Sequence, residues 1–199
     1  MNPYQRAIDI LCRTLGPMDE DGMIPVFGFG DMKTTDKSVF SLAVDSPDGA
    51  CRGMEEVLKR YAETAVALEG KMSGPTSFVP IIEKAIEIVQ ITKKYHVLII
   101  IADGQVTNVE KNIDAIFRAS EYALSIVMVG VGDGPWDDMK IFDDQIPQRR
   151  FDNFQFVSFN EVCERALAKG SNIEIEFGLA ALMEIPDQFI SIRRLGLLN

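Results

Sequence analysis

The stretch HVLIIIADGQVTN, residues 96–108, decides the fold class. A run of aliphatic residues leads straight into Asp103, and Gly104 then lets the chain turn. Continuous apolar character without alternation is typical of a strand that is buried on both faces of a parallel sheet. A carboxylate at the carboxyl end of such a strand lies at the sheet edge where open α/β folds bind ligands. The stretch therefore predicts a buried parallel strand with a candidate ligand-binding residue, Asp103, at its end.

Helical and strand patterns alternate along the rest of the chain. The helical patterns cover residues 2–15, 53–68, 79–92, 108–122, 160–170 and 173–185, with a short helix within 133–144. The strand patterns cover residues 23–31, 39–44, 96–103, 124–132 and 154–159. This alternation predicts a single three-layer α/β/α domain over residues 1–199, with a doubly wound, mostly parallel, Rossmann-like sheet. Because such domains open on a central strand and this chain opens on a helix, we expect that first strand to be missing.

Composition and charge narrow the class of protein. With 47% hydrophobic and 25% charged residues, the chain has the composition of a soluble globular domain with a sizeable core. The formal charge of −10 is not offset by any cluster of basic residues, which disfavours nucleic acid and anionic membranes as partners and favours divalent cations. The sequence has no signal-peptide pattern and no run long enough to span a membrane, so we expect cytoplasmic or nuclear residence.

The three cysteines predict neither a disulfide framework nor a zinc site. Cys12, Cys51 and Cys163 are far apart in the sequence and form no C-x-x-C motif. We expect them to act as small hydrophobic residues.

Several residues are predicted to meet at the carboxyl edge of the sheet: Asp31, Thr76, Asp103, Asp133 and Trp136. Carboxylate and hydroxyl oxygens suit hard cations such as Mg²⁺ or Mn²⁺, so Thr76 and Asp103 could share a metal. From spacing alone, each aspartate could equally be a helix cap or a turn former. Trp136 could anchor a partner at this edge or pack beneath its own loop.

Five motifs resemble a known family. They are FGFGD (27–31), GPTSF (74–78), YHVLIIIADGQVT (95–107), LSIVMVGVGDGPWDDM (124–139) and FDNFQFVSF (151–159). They resemble the von Willebrand factor A domain of copines, and more closely the copine-like A domain of plant RING-type ubiquitin ligases. The similarity covers nearly the whole chain. It implies an intracellular protein–protein interaction domain of the adhesion type.

The resemblance also implies a set of site residues. In A domains of this kind a metal-ion-dependent adhesion site takes a threonine from its second loop and an aspartate from its third, which implies Thr76 and Asp103 here. The first loop of the family carries Asp-x-Ser-x-Ser, which is absent from this chain, because the nearest string, DKSVF at 36–40, enters a weak strand instead of leaving a buried one. Mg²⁺ requires six near-octahedral ligands. We therefore expect a remnant site, in a domain that is N-terminally truncated relative to the family.

Partner contacts follow from the same resemblance. In intact relatives a partner's acidic side chain completes the coordination of the metal, and here we expect Asp133, Trp136 and Asp137 to contribute partner contacts around it. Since the missing strand would leave a gap in the sheet, we expect the chain to be marginally stable alone, or to fill the gap by rearrangement or by self-association.

The expected function is therefore protein recognition and not catalysis. Ubiquitin-ligase activity would require a RING domain, which the sequence lacks, and a membrane-peripheral location would come through a longer protein or a partner. Two alternatives stay open: a metal-independent scaffold, and a metal-dependent hydrolase, although no nucleophile, base or phosphate loop accompanies Asp103.

Overall fold

The computed structural model describes residues 1–46, 49–72 and 76–198. The chain forms two compact units, Met1–Thr76 and Ser77–Asn199.

The first unit combines two long helices with short strands. Its elements are α1 (Pro3–Leu15), a 3₁₀ turn (Gly16–Met18), β1 (Met23–Pro25), β2 (Phe27–Gly28), β3 (Phe40–Ser41), β4 (Ala50–Arg52) and α2 (Gly53–Ala67). Helix α1 begins where the sequence predicts, because the side chain of Asn2 accepts a hydrogen bond from the N–H of Gln5 and Oε1 of Gln5 accepts one from the N–H of Asn2.

The strand predicted over residues 23–31 is not continuous, and its neighbours are antiparallel. β1 pairs with β4, whereas β2 pairs with β3. Val26 separates the two pairs, since its N–H donates to the carbonyl of Gly49 and its carbonyl accepts from the N–H of Leu42. The strand predicted over 39–44 is reduced to β3, and β4 had no counterpart in the sequence pattern because three residues are too few to show a period.

A small apolar core holds this unit together. Cys51 is fully buried and clusters with Ala43 and Val57, against which Ile8 and Ile24 pack. Cys51 is a free thiol. This residue is therefore a small hydrophobic residue of the core, as predicted.

The second unit is a parallel sheet flanked by helices. Its elements are α3 (Val79–Thr92), β5 (His96–Ala102), α4 (Val109–Ala119), β6 (Leu124–Gly130), α5 (Asp137–Asp144), β7 (Phe154–Ser158), α6 (Phe159–Lys169), α7 (Ile173–Leu182) and α8 (Ile185–Arg194). The strands lie side by side in the order β5-β6-β7, and both pairings are parallel. The prediction of an α/β fold with a parallel sheet between helices is confirmed.

The most deeply buried strand is β6 and not β5. Every residue of β6 is buried, because strands pair with both of its edges. In β5 only Ile100 and Ala102 are buried, and the other five residues are half-buried. β5 is therefore less deeply buried than its continuous apolar run predicts. Within the described residues of this unit β5 pairs with β6 alone, so it is an edge strand of the sheet.

Candidate functional site

The carboxyl ends of the three parallel strands bring candidate residues together in the second unit. Asp103 follows β5, Asp133 follows β6, and Asn160 lies in the first turn of α6, directly after β7. In a parallel sheet these ends share one edge, which is where open α/β folds bind ligands. We call this group, with Asp137 at the start of α5, the β-edge site.

Asp103 is exposed and lies beside the loop after β6. A Cβ atom placed on Gly132 would lie 3.7 Å from the Cβ of Asp103 and 3.7 Å from its carbonyl oxygen. Gly132 has φ +116°, a conformation that L side chains rarely adopt. The glycine therefore allows the two loops to approach each other at the edge.

Asn160 ties α6 to the same loop. Its side-chain amide donates to the carbonyl of Gly132 at 3.0 Å and to Oδ1 of Asp133 at 3.2 Å. The second bond holds the exposed carboxylate of Asp133 near the edge. Asn160 was not recognised in the sequence, where nothing distinguishes it from an ordinary residue of the first turn of a helix.

Trp136 lies inside the unit instead of on its surface. Its side chain is 7% exposed, and its ring centroid lies 5.5 Å from that of Phe156 on β7. Gly130 at the end of β6 leaves room for the indole, since a Cβ there would lie 2.9 Å from the ring. The expectation that Trp136 offers its ring to a partner is therefore corrected: it packs beneath its own loop and supports it.

Asp137 and Asp138 begin helix α5. Asp137 is exposed, whereas Asp138 is half-buried. Burial, reinforced by the neighbouring charge of Asp137, raises the pKa of Asp138 above the ordinary value for an aspartate. The partner-contact roles of Asp133 and Asp137 stay predictions, with both carboxylates positioned at the β-edge site.

A buried asparagine connects the start of α3 with the loop after Asp103. Asn112 on α4 is fully buried, and its Oδ1 accepts a hydrogen bond from the N–H of Phe78. Its amide nitrogen donates to the carbonyls of Thr107 and Asn108. Asn112 therefore fixes the segment just after Thr76 against the loop that carries Asp103. It was missed because a polar residue within an amphipathic helix is usually assigned to the solvent-exposed face.

Thr76 is the last residue of the first unit, and Asp103 belongs to the second. Residues 73–75, which include the first two residues of the GPTSF motif, lie outside the described residues. In the ranges that the structure describes, no three His, Cys, Asp or Glu side chains are grouped so that they could hold a metal ion. The roles of Thr76 and Asp103 as ligands of Mg²⁺ or Mn²⁺ stay predictions.

Asp31, also predicted at the edge, has a local structural role in the first unit. It is buried, and its carboxylate accepts hydrogen bonds from the N–H and the hydroxyl of Thr34. These bonds lower the pKa of Asp31, and the bond from the Thr34 hydroxyl has the largest effect. Asp31 therefore closes a turn, which is the alternative that its spacing left open.

No helix within the described part of the chain is long and apolar enough to cross a membrane.

Comparison with known proteins places the chain in a family. A family model described as Copine matches residues 1–199. The chain belongs to the copine family. The resemblance carried by the five sequence motifs is confirmed, and the β-edge site is a feature of this copine domain.

The relatives of this copine domain are longer proteins. Copine family protein 2 of Caenorhabditis elegans is 53% identical over 200 residues, which cover 100% of this chain and 2% of that protein. E3 ubiquitin-protein ligase RGLG5 of Arabidopsis thaliana is 52% identical over 211 residues, covering 100% of this chain and 48% of the ligase. E3 ubiquitin-protein ligase RGLG2 of the same plant is 52% identical over 211 residues, covering 100% of this chain and 44% of that ligase. The copine domain thus spans about half, or less, of the length of these relatives.

Proposed function

We propose that this copine domain is a protein–protein recognition module that binds its partner at the β-edge site. The observation that supports the proposal is the convergence of Asp103, Asp133 and Asn160 at one edge of the parallel sheet. The exposed carboxylates rest on buried supports, with Trp136 beneath one loop and Asn112 behind the other. A rigid frame under exposed polar groups suits selective recognition, because little conformational freedom is lost on binding.

In this proposal the metal site is a remnant of the family's adhesion site. Thr76 and Asp103 would be the residual ligands of an incomplete adhesion site for Mg²⁺ or Mn²⁺. If an ion were held there by further groups, an acidic side chain of the partner would complete its coordination. We derive no step of recognition through the ion, since two oxygen donors do not hold Mg²⁺ tightly.

The metal-independent mode has its own support. Three exposed carboxylates, Asp103, Asp133 and Asp137, lie at the β-edge site, in a chain of formal charge −10. Without an ion, this surface would favour a partner with Lys or Arg side chains. The two modes predict opposite charges on the partner.

The same proposal gives a role to the domain in longer proteins. Two of the relatives are E3 ubiquitin-protein ligases, and the chain covers less than half of each of them. In a protein of that kind we propose that the copine domain supplies recognition and not the ligase chemistry.

Quantitative affinity purification tests the proposal. Wild-type protein and the Asp103→Lys/Asp133→Lys variant would be compared as baits, each with Mg²⁺ and with chelator, and Asp114→Lys on the exposed surface of α4 is the matched control. The proposal predicts partners that are retained by wild type and the control and lost by the double variant. Retention in chelator selects the metal-independent mode, and loss in chelator selects the metal-assisted one. Partners that bind all three baits equally would overturn the proposal.

A further inference from the structure

A buried glutamine on β7 contacts a glutamate that lies between α7 and α8. Gln155 is 9% exposed, and the amide group of its side chain lies against the half-buried carboxyl group of Glu184. The amide atom that faces Glu184 lies 2.7 Å from Oε1 and 3.0 Å from Oε2 of that carboxyl group. Both distances are those of hydrogen bonds, so one of the two side chains must supply a proton to this contact.

Two arrangements of the amide satisfy the contact, and they differ by one proton. If the oxygen of Gln155 faces Glu184, the carboxyl group must be protonated, because its O–H is then the donor of the bond. In this arrangement the amide nitrogen donates to the carbonyls of Phe156 at 3.3 Å and Ala180 at 3.4 Å. If the amide is turned over, its nitrogen donates to the oxygens of an ionised Glu184, and the two carbonyls lose this donor.

The bond to Ala180 joins helix α7 to the sheet. Ala180 lies in the last turn of α7, where backbone carbonyls have no donor from within the helix. Gln155 lies on β7, so its amide nitrogen supplies a donor from the sheet. The protonated arrangement therefore has a hydrogen bond between β7 and the end of α7 that the ionised arrangement lacks.

The surroundings of Glu184 favour its protonated form. Burial raises the pKa of Glu184, and the negative charges of Asp152 and Asp144 raise it further. Two groups act in the opposite direction. Gln188 on α8 donates a hydrogen bond to Oε2 of Glu184 at 3.3 Å, and Arg149 contributes a positive charge, although it is already paired with Asp152 at 2.9 Å.

Asp143 on α5 belongs to the same group of charges. Burial and then the charge of Glu184 raise the pKa of Asp143 to about 7. Because two ionised carboxylates repel each other here, the two groups lose their protons one after the other as the pH rises. A test of Glu184 must therefore separate its titration from that of Asp143.

We propose that Glu184 and Gln155 form a proton-operated clamp between β7 and helix α7. With a proton on Glu184, the carboxyl group donates to Oε1 of Gln155, and Nε2 of Gln155 holds the carbonyl of Ala180. When Glu184 loses the proton to solvent, the amide turns over, binds the carboxylate and releases Ala180. Rising pH thus frees the end of α7 from the sheet, in a device that is separate from recognition at the β-edge site.

NMR on the whole chain, titrated from pH 5 to pH 8, tests the clamp. In wild type the carbonyl ¹³C shift of Ala180 and the side-chain amide shifts of Gln155 should change together. Glu184→Gln supplies a donor to Gln155 at every pH, so both changes should be lost. Asp143→Asn should keep both, and so should the matched control Asp187→Asn, an exposed position in the first turn of α8.

Gln155→Met separates the clamp from a direct effect of charge. Glu184 still titrates in this variant, as its carboxyl ¹³C shift reports, but the change at Ala180 should be lost because the amide is absent. A change at Ala180 that persists in Gln155→Met would overturn the proposal, whether or not Glu184→Gln folds. The same holds if wild type shows no pH-dependent change at Ala180 and Gln155, or if the change is kept in Glu184→Gln and lost in Asp143→Asn.

Discussion

The Oδ1 atom of Asn112 on α4 lies 2.8 Å from the backbone nitrogen of Phe78, a residue 34 positions away in sequence. Through Asn112, two loops are held together. One loop follows Thr76, and the other carries Asp103. Since the amide of Asn112 also binds two carbonyls of the second loop, one buried side chain positions both. The β-edge site is thus held from within the domain.

Replacing Asn112 should loosen these loops together. Asn112→Leu removes all three hydrogen bonds and should lower the free energy of unfolding by about 3 kcal/mol, because the buried backbone groups lose their side-chain partner. Urea unfolding measures the loss, and hydrogen exchange should accelerate in residues 77–82 and 103–111 before it does elsewhere. Asn112→Asp keeps the acceptor for Phe78, so it should accelerate exchange mainly in 103–111. Equal exchange in both variants and wild type would contradict the positioning role.

Gly130 and Trp136 should behave as a coupled pair. A Cβ on Gly130 would meet the indole at 2.9 Å, so Gly130→Ala should cost about 1–3 kcal/mol through overpacking. Trp136→Phe shortens the ring and should recover much of that loss in the double variant. Thermal melts of wild type, the two single variants and the double variant measure the coupling. Strictly additive losses of stability would show that the indole does not require the glycine.

The stability of the second unit should fall as the pH rises towards 8. Burial, together with the nearby charge of Glu184, raises the pKa of Asp143 to about 7. The unfolded value lies near 4, so the stabilising protonated form is fully present below pH 4 and is lost as the pH rises through 7. With allowance for solvent screening, the change is on the order of 2 kcal/mol.

Asp143→Asn should flatten this pH dependence and raise stability at pH 8. Urea unfolding at pH 5 and pH 8 measures it, and Trp136 gives a fluorescence signal specific to the second unit, because it is the one tryptophan of the chain. Asp114→Asn, on the exposed surface of α4, is the control and should leave the pH dependence unchanged. If Asp143→Asn kept the pH dependence of wild type, Asp143 would not be the group that causes it.

Divalent metal should stabilise the chain little. A complete site at one hundred times its Kd would add about 2.7 kcal/mol, which is a rise in Tm of roughly 5–11 °C for a protein of this size. For a remnant site we expect a rise of at most about 1–2 °C in millimolar Mg²⁺ or Mn²⁺, the same in wild type and in Thr76→Ala. A large rise that disappears in both Thr76→Ala and Asp103→Ala would show instead that further groups complete the site.

Long, strongly patterned elements were predictable from the sequence. Helix α3 has the predicted bounds, and the predicted strand 124–132 contains β6, because burial against the core imposes a clear pattern on every turn or strand of an element. The strands of the first unit were not predictable in detail. At Val26 the chain passes from pairing with β4 to pairing with β3, and this exchange depends on segments that are distant in sequence.

The site was predictable in its location but less so in its contacts. A carboxylate after a continuous apolar run places Asp103 at the carboxyl edge of the sheet in any parallel fold. The burial of Trp136 depends on Gly130 on β6 and Phe156 on β7, and the role of Asn112 depends on a backbone group 34 residues away. Neither relationship can be predicted from the spacing of residues along a single element.

The most direct test of recognition at the β-edge site is site-specific photo-crosslinking in cells. A benzoylphenylalanine would replace Asp137 at the carboxyl edge or, as the control, exposed Lys94 at the opposite end of β5. We predict discrete crosslinked partners from position 137 that are absent from position 94 and that disappear when Asp103→Lys is added. Crosslinking to the same proteins from both positions, or from position 94 alone, would contradict recognition at this edge.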